Sequence, residues 1–145
     1  MPHLVILYTG QLDHEVSMTA LCRQLADAML TVHDEDGKQV FPTGGTRVLA
    51  YPAPHYAVAD GGAAGREAGG TGDYAFVYLN VRMGRGRSEA TQQRAGQTLL
   101  EVAKAFFVPV MAQRHIGLTL QIDVGAEVFD AKHSNLHPLF QKGAV

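Results

Sequence analysis

Apolar and polar positions fall into two cycles of the same kind. The first opens with His3-Leu4-Val5-Ile6-Leu7-Tyr8, a short, partly β-branched apolar run that stops at Gly10 and predicts a buried strand. From Asp13 to about Val32 the period changes. Leu21, Leu25, Ala28 and Val32 recur at helical spacing and predict an amphipathic helix. Asp34 to Lys38 is a polar turn containing Gly37, and Thr46 to Tyr51 fits a short strand. The second cycle starts at Asp73. Ala75, Val77, Leu79, Val81 and Met83 alternate with other residues, the strongest strand signal in the chain. Gly84 to Gly86 breaks the run, and Ser88 followed by Glu89 suits a helix start. The helix is expected to reach about Arg114 with Ala95, Leu99, Val102, Phe106 and Val110 on one face, and Pro109 to kink it or end it early. Ile116, Leu118, Leu120, Ile122 and Val124 alternate again as a third main strand.

Between the cycles, Gly61 to Gly72 is made almost wholly of Gly and Ala and predicts a flexible loop. The tail holds one apolar cluster, Leu136 to Phe140. Strand, helix, strand, twice over, predicts an α/β sandwich with two helices on one face of a mixed sheet. The other face needs a partner, and self-association supplies one.

The 145 residues fit one domain with a real core. Twelve basic and 14 acidic side chains leave a net charge of −2, which gives no electrostatic footprint for nucleic acid. No apolar run approaches membrane-spanning length, and the first residues lack a signal-peptide pattern. Cys22 is the single cysteine, so no internal disulfide is possible. A cytoplasmic protein acting on neither membrane nor nucleic acid is expected.

Three features could carry chemistry. Removal of Met1 would leave Pro2 as a secondary amine at the end of a strand. An unperturbed α-amino group titrates near ~8, and nearby cations or a dry pocket lower that value, so the amine would be a competent general base at neutral pH. Arg87 lies in Arg82-Met83-Gly84-Arg85-Gly86-Arg87-Ser88, between a strand and a helix. Glycines there allow close approach, and a guanidinium grips a carboxylate in a two-bond fork. The loop lacks the Gly-Lys-Ser/Thr ending of a nucleotide phosphate loop. Arg47 is a second candidate cation. His133 and His137 have helical spacing, but Pro138 argues against a helix through both, so no metal site is expected. Cys22 is expected to be a packing residue.

These markers resemble the 5-carboxymethyl-2-hydroxymuconate isomerase family of the tautomerase superfamily. The resemblance runs through Pro2-His3 and the strand after it, Phe41-Pro42-Thr43-Gly44-Gly45-Thr46-Arg47, Ala59-Asp60-Gly61, Asp73-Tyr74-Ala75-Phe76-Val77, Gly84-Arg85-Gly86-Arg87-Ser88 and Asn135-Leu136-His137-Pro138-Leu139-Phe140. It implies two β-α-β units in a four-stranded mixed sheet with two helices on one face, in one tautomerase-like domain over 1–145. It further implies a homotrimer with its sheets facing inward. The implied reaction converts a dienol carboxylate to its enone, with no cofactor. Pro2 would carry the proton, with Arg47 and Arg87 as its catalytic partners. His3, Arg85 and Ser88 would touch the carboxylated substrate. Three departures from the family pattern, the long Gly61 to Gly72 stretch, Leu49 where a second arginine can stand, and the added Arg85, are expected around the pocket. A tautomerase for another 2-hydroxy-dienoate, or a non-catalytic trimer that binds a carboxylated ligand, is the alternative.

Overall fold

The computed structural model describes residues 3–125 and 127–141. In chain order they form β1 (His3–Thr9), α1 (Met18–Leu30), β2 (Arg47–Ala53), α2 (Ala63–Glu67), β3 (Ala75–Gly84), α3 (Glu89–Met111) and β4 (Ile116–Gly125). Short 3-10 turns lie at Gly10–His14, Thr43–Gly45 and His137–Phe140. Strand order across the sheet is β2-β1-β3-β4. β1 and β2 run parallel, as do β3 and β4, and the two pairs meet antiparallel at β1 and β3. Each cycle of the sequence thus gives one β-α-β unit, and one ladder joins them.

Alternation along the strands decides where the core lies. Leu4, Ile6 and Tyr8 of β1 and Ala75, Val77, Leu79, Val81 and Met83 of β3 share one side of the sheet and are buried there. They pack with Leu21, Leu25 and Met29 of α1 and Leu99, Ala103 and Phe107 of α3. β4 is an edge strand. Its Ile116, Leu118, Leu120 and Ile122 pack against this core but stay only partly buried, and Val124 is exposed.

The helix ends follow their caps. Instead of one helix from Asp13, the chain makes the 3-10 turn Gly10–His14 around buried Leu12, and α1 starts at Met18. Ser17 sets that start, because its side chain accepts the Ala20 N–H at 3.1 Å. Ser88 caps α3 in the same way, accepting the Thr91 N–H at 3.1 Å. α3 ends at Met111 rather than Arg114, with Pro109 inside its last turn. The Gly/Ala-rich stretch contains the five-residue helix α2. Asp60 organises it by accepting the Gly62 and Ala64 N–H groups, each at 2.9 Å, and the Tyr74 hydroxyl accepts the Gly65 N–H at 2.8 Å.

Two polar contacts tie this end of the sheet. Arg114, with a side chain only 10% exposed, bonds Glu15 at 2.8 Å and the Asp73 carboxylate at 2.7 Å. Tyr8 donates to Asp13 at 2.6 Å, and burial together with that carboxylate pushes the phenol up to about 12. A raised phenol favours the neutral, hydrogen-bonded form in the folded state. Its contribution to stability is complete below the ordinary tyrosine value of 10.0 and is lost as pH rises through about 12. Chemical denaturation at a series of alkaline pH values should show this loss, and Tyr8→Phe should remove that part of the pH dependence.

Candidate functional site

Strand register brings the site together. His3 pairs with Arg47 across the β1–β2 ladder and with Arg82 across the β1–β3 ladder, and Arg82 pairs with Asp123 on β4. Paired residues share a face, so Arg47, His3, Arg82 and Asp123 form a row on the side away from the helices. His3 is half-buried there. Burial lowers its pKa below the ordinary histidine value, and the Arg47 and Arg82 guanidinium charges push it the same way. The imidazole is therefore neutral at neutral pH. Arg47 is oriented in part by its own loop, donating from Nη1 to the Gly45 carbonyl at 2.9 Å. Pro2 lies outside the described residues; its covalent bond to His3 makes it the next residue along the chain from this row.

Arg82 went unassigned in the sequence, although the structure places it in the row. Its Nε–H donates to the Asn80 side-chain oxygen at 2.8 Å, and the Asn80 amide donates to Asp123 at 2.8 Å. Asn80 is 2% exposed on a strand whose other buried residues are apolar. The available signal was the pair Asn80 and Arg82, two apart and therefore on one face of a strand.

The loop after β3 behaves differently. Gly86 has φ +113°, a conformation that glycine adopts without strain, and it turns the chain into α3. Arg87 is half-buried, with Nη2 donating to the Val40 carbonyl at 2.9 Å and Nη1 to the Gly84 carbonyl at 3.4 Å. Ser88 is engaged by its capping bond, by Thr91 at 3.1 Å and by a very short bond to Glu35. The bond from Ser88 foremost, then a bond from the Glu35 backbone and one from the Thr91 hydroxyl, hold the Glu35 carboxyl below its usual range. Arg85 is exposed at the loop tip.

Two cavities flank the row. One of about 320 Å³ is lined by His3, Arg82, Asp123, Glu127 and Asp130 among others. One of about 190 Å³ lies on the Arg47 side, with Lys132, Ser134 and His137 on its wall. The tail thus passes across the His3 end of the sheet. The His137 ring packs against Gly44 so closely that a β-carbon on the glycine would stand 2.7 Å from Nδ1. Arg87 lines neither cavity. A larger cavity, about 540 Å³, lies elsewhere, between Asp60, Gly65, Tyr74 and His115. It holds none of the candidate residues and lies where β3 begins, at the Thr9 end of β1. The Gly61 to Gly72 stretch builds that far wall. Within the subunit it stands away from the His3 row, contrary to the expectation that it surrounds the pocket. Leu49, by contrast, is on the open face next to the row, and Arg85 follows β3 at the row's end. Among the described residues, no three His, Cys, Asp or Glu side chains converge as metal ligands.

Two parallel β-α-β units joined antiparallel define the fold class of the tautomerase superfamily. A fused 4-OT trimer shares this fold with a TM-score of 0.54 at 15% identity, over 96% of this chain and 99% of its own. The finer assignment comes from sequence: the model of the 5-carboxymethyl-2-hydroxymuconate isomerase family matches residues 2–140, and the chain belongs to that family. A crystal structure of a 5-carboxymethyl-2-hydroxymuconate delta-isomerase is 71% identical, with a TM-score of 0.95 over 99% of this chain and 95% of its own. A 5-carboxymethyl-2-hydroxymuconate isomerase from Deinococcus radiodurans R1 is 30% identical, with a TM-score of 0.76 over 97% and 95%. The 5-carboxymethyl-2-hydroxymuconate Delta-isomerase of Escherichia coli is 26% identical over 97% of this chain and all of its own length.

The electrostatics of the row can be checked directly. Arg82→Gln and Arg47→Gln should each raise the His3 pKa toward the ordinary value of 6.5, because each removes a cation that disfavours the imidazolium. Titration of the His3 ring protons by NMR measures both shifts.

Proposed function

We propose that this chain isomerises 5-carboxymethyl-2-hydroxymuconate or a closely similar 2-hydroxy-dienoate to its 2-oxo-enoate isomer, with Pro2 as the base once Met1 is removed. The observation that carries this reading is the row in which His3, next to Pro2 in the chain, stands between Arg47 and Arg82. Membership of the isomerase family agrees with it.

The chemistry needs few parts. The 2-hydroxyl gives up its proton, the double bonds shift by one position, and a proton is delivered to the far end of the diene. Atoms and charge balance without an oxidant or a second substrate. One amine serves as acceptor and then as donor. Neighbouring guanidinium charges favour its neutral form and stabilise the negative charge that develops on the substrate's oxygen. Arg47 and Arg87 take that role in this reading. His3 stays neutral and contributes a hydrogen bond, Arg85 a peripheral attraction for carboxylates. Ser88 acts chiefly through its cap, which fixes where α3 begins and so where Arg87 stands.

The working unit in this reading is a homotrimer. On the open sheet face Leu7, Leu49 and Tyr51 are 48%, 45% and 51% exposed. Leu7 is registered against Tyr51, and Leu49 lies one pair further along, so they form one apolar patch. The fused 4-OT structure of the same fold is a trimer.

Two tests follow. Protein with a free Pro2 should ketonise 5-carboxymethyl-2-hydroxymuconate, followed by the loss of dienol absorbance. Pro2→Ala, or protein that retains Met1, should lose on the order of a hundredfold or more in kcat, in line with removal of a general base. Full activity in either would overturn the role of Pro2. Sedimentation equilibrium should give three times the chain mass, and Leu49→Asp should shift it toward the monomer.

A further inference from the structure

We infer that Arg82 is a substrate-carboxylate-binding residue, displayed by a buried asparagine and aimed at the carboxylate remote from the reacting 2-hydroxyl. This rests on the reading that the substrate is an unsaturated 2-hydroxy acid with more than one carboxylate.

The argument starts from what holds the guanidinium. Arginine has five N–H donors on a plane. At Arg82 the Nε–H is committed to Asn80, and this fixes the plane of the group. Among the described residues Arg82 forms no ion pair, and its two Nη groups carry no hydrogen bond. Pinning at Nε leaves the fork that grips a carboxylate with two parallel bonds. An arginine serving only to balance Asp123, its neighbour across the β3–β4 ladder, would bond to it directly. Here Asn80 stands between them.

Asn80 can do this because Asp123 fixes its orientation. The Asp123 carboxylate only accepts, so the Asn80 amide must turn its NH₂ toward it, at 2.8 Å. The amide oxygen is then left facing Arg82. A polar side chain 2% exposed, with donor and acceptor both used, has one arrangement. Asn80 and Asp123 are positioning residues.

The surroundings suit an incoming anion. The cavity beside Arg82 has three carboxylates on its wall, and each is engaged or faces a cation. Asp123 holds Asn80. Asp130 pairs with Lys132 at 2.5 Å. Glu127 and the Nη1 of Arg87 both lie about one van der Waals contact from the space over Gly84. Arg47 stands two strands away on the other side of His3. One end of an extended polycarboxylate can thus meet Arg47 and the other Arg82, with the Pro2 end of β1 between them.

The test compares 2-hydroxymuconate with 2-hydroxypenta-2,4-dienoate, which has the same reacting end and lacks the second carboxylate. Arg82→Gln should lower the ratio of their kcat/KM values about tenfold, the scale of one charge-assisted contact. Arg82→Lys should recover part of that ratio. Asp123→Leu, which frees Asn80 to flip, should lower it as well while the thermal midpoint stays within a few degrees of wild type. Equal loss on both substrates, or an unchanged ratio in Arg82→Gln or Asp123→Leu, overturns the inference. Wild-type protein that turns over neither these two nor 5-carboxymethyl-2-hydroxymuconate would sink the proposed reaction instead. In that case calorimetric binding of muconate to wild type and Arg82→Gln still decides the Arg82 assignment: weaker binding by the variant supports it and equal binding overturns it.

Discussion

The antiparallel ladder between β1 and β3 is the contact on which the rest depends. Each β-α-β unit pairs its own strands, but only this ladder joins the two units into one sheet. It sets His3 of the first unit beside Arg82 of the second. The register is not held by the site. It is held by the core, because Val77, Leu79 and Val81 alternate with Tyr78, Asn80 and Arg82, and the first three are fully buried. A slip of one residue would turn Arg82 and Asn80 into the apolar layer and bring the valines out. Each displaced aliphatic side chain would forfeit roughly 1.5–3 kcal/mol, and the buried guanidinium would cost more. The charged row therefore inherits its precision from hydrophobic burial on the opposite side of the sheet.

How much of this was legible in the sequence follows from which signals are local. The strands were legible because alternation is a property of a few consecutive residues, and all five alternating positions of β3 are buried. The α3 start was legible because Ser88 and the glycines before it act on their immediate neighbours. The α1 start was not. Leu12 and Val16 continue the apolar content ahead of Ser17, so the pattern hides the break that the cap enforces. The apolar stripe of α1 does include Ala28, partly buried against the core, but it is deepest at Met29, since a four-residue step from Leu25 faces the sheet better than a three-residue step. Pro2 was legible from its position behind Met1, whose removal would free a secondary amine, and nothing in the pattern of apolar residues singles it out. Arg82 was invisible for a further reason. A polar residue at an outward strand position is ordinary, and what distinguishes this one is a bond to Asn80 and, through it, to Asp123, 43 residues beyond Asn80.

Four arginines of this chain show that what holds a guanidinium decides what it can do. Arg114 is enclosed by Glu15 and by the carboxylate and carbonyl of Asp73, and it acts as a clamp between the end of α3, the turn after β1 and the start of β3. Arg87 is held at both Nη groups by backbone carbonyls. Carbonyls orient it without cancelling its charge, and each Nη keeps a second hydrogen, so it is a fixed positive group at a glycine-lined corner. Arg47 is steadied by the carbonyl of its own loop. Among the described residues, Arg82 is held by a neutral amide at Nε alone of its nitrogens. Of Arg82, Arg87 and Arg114, only Arg114 is neutralised by direct carboxylate contact among the described residues, and it stands at the opposite end of the β1–β3 ladder from His3.

That division explains how a protein with a net charge of −2 can serve a multiply charged acid. Net charge governs long-range attraction and is screened over about 8 Å at physiological salt, whereas a bound anion responds to the few charges it touches. A basic surface would draw every polyanion in its surroundings. Cations set at fixed positions along one row instead select an anion whose carboxylates match their spacing. On this reading a ligand with a single carboxylate would gain one such contact, and a ligand with two would gain both.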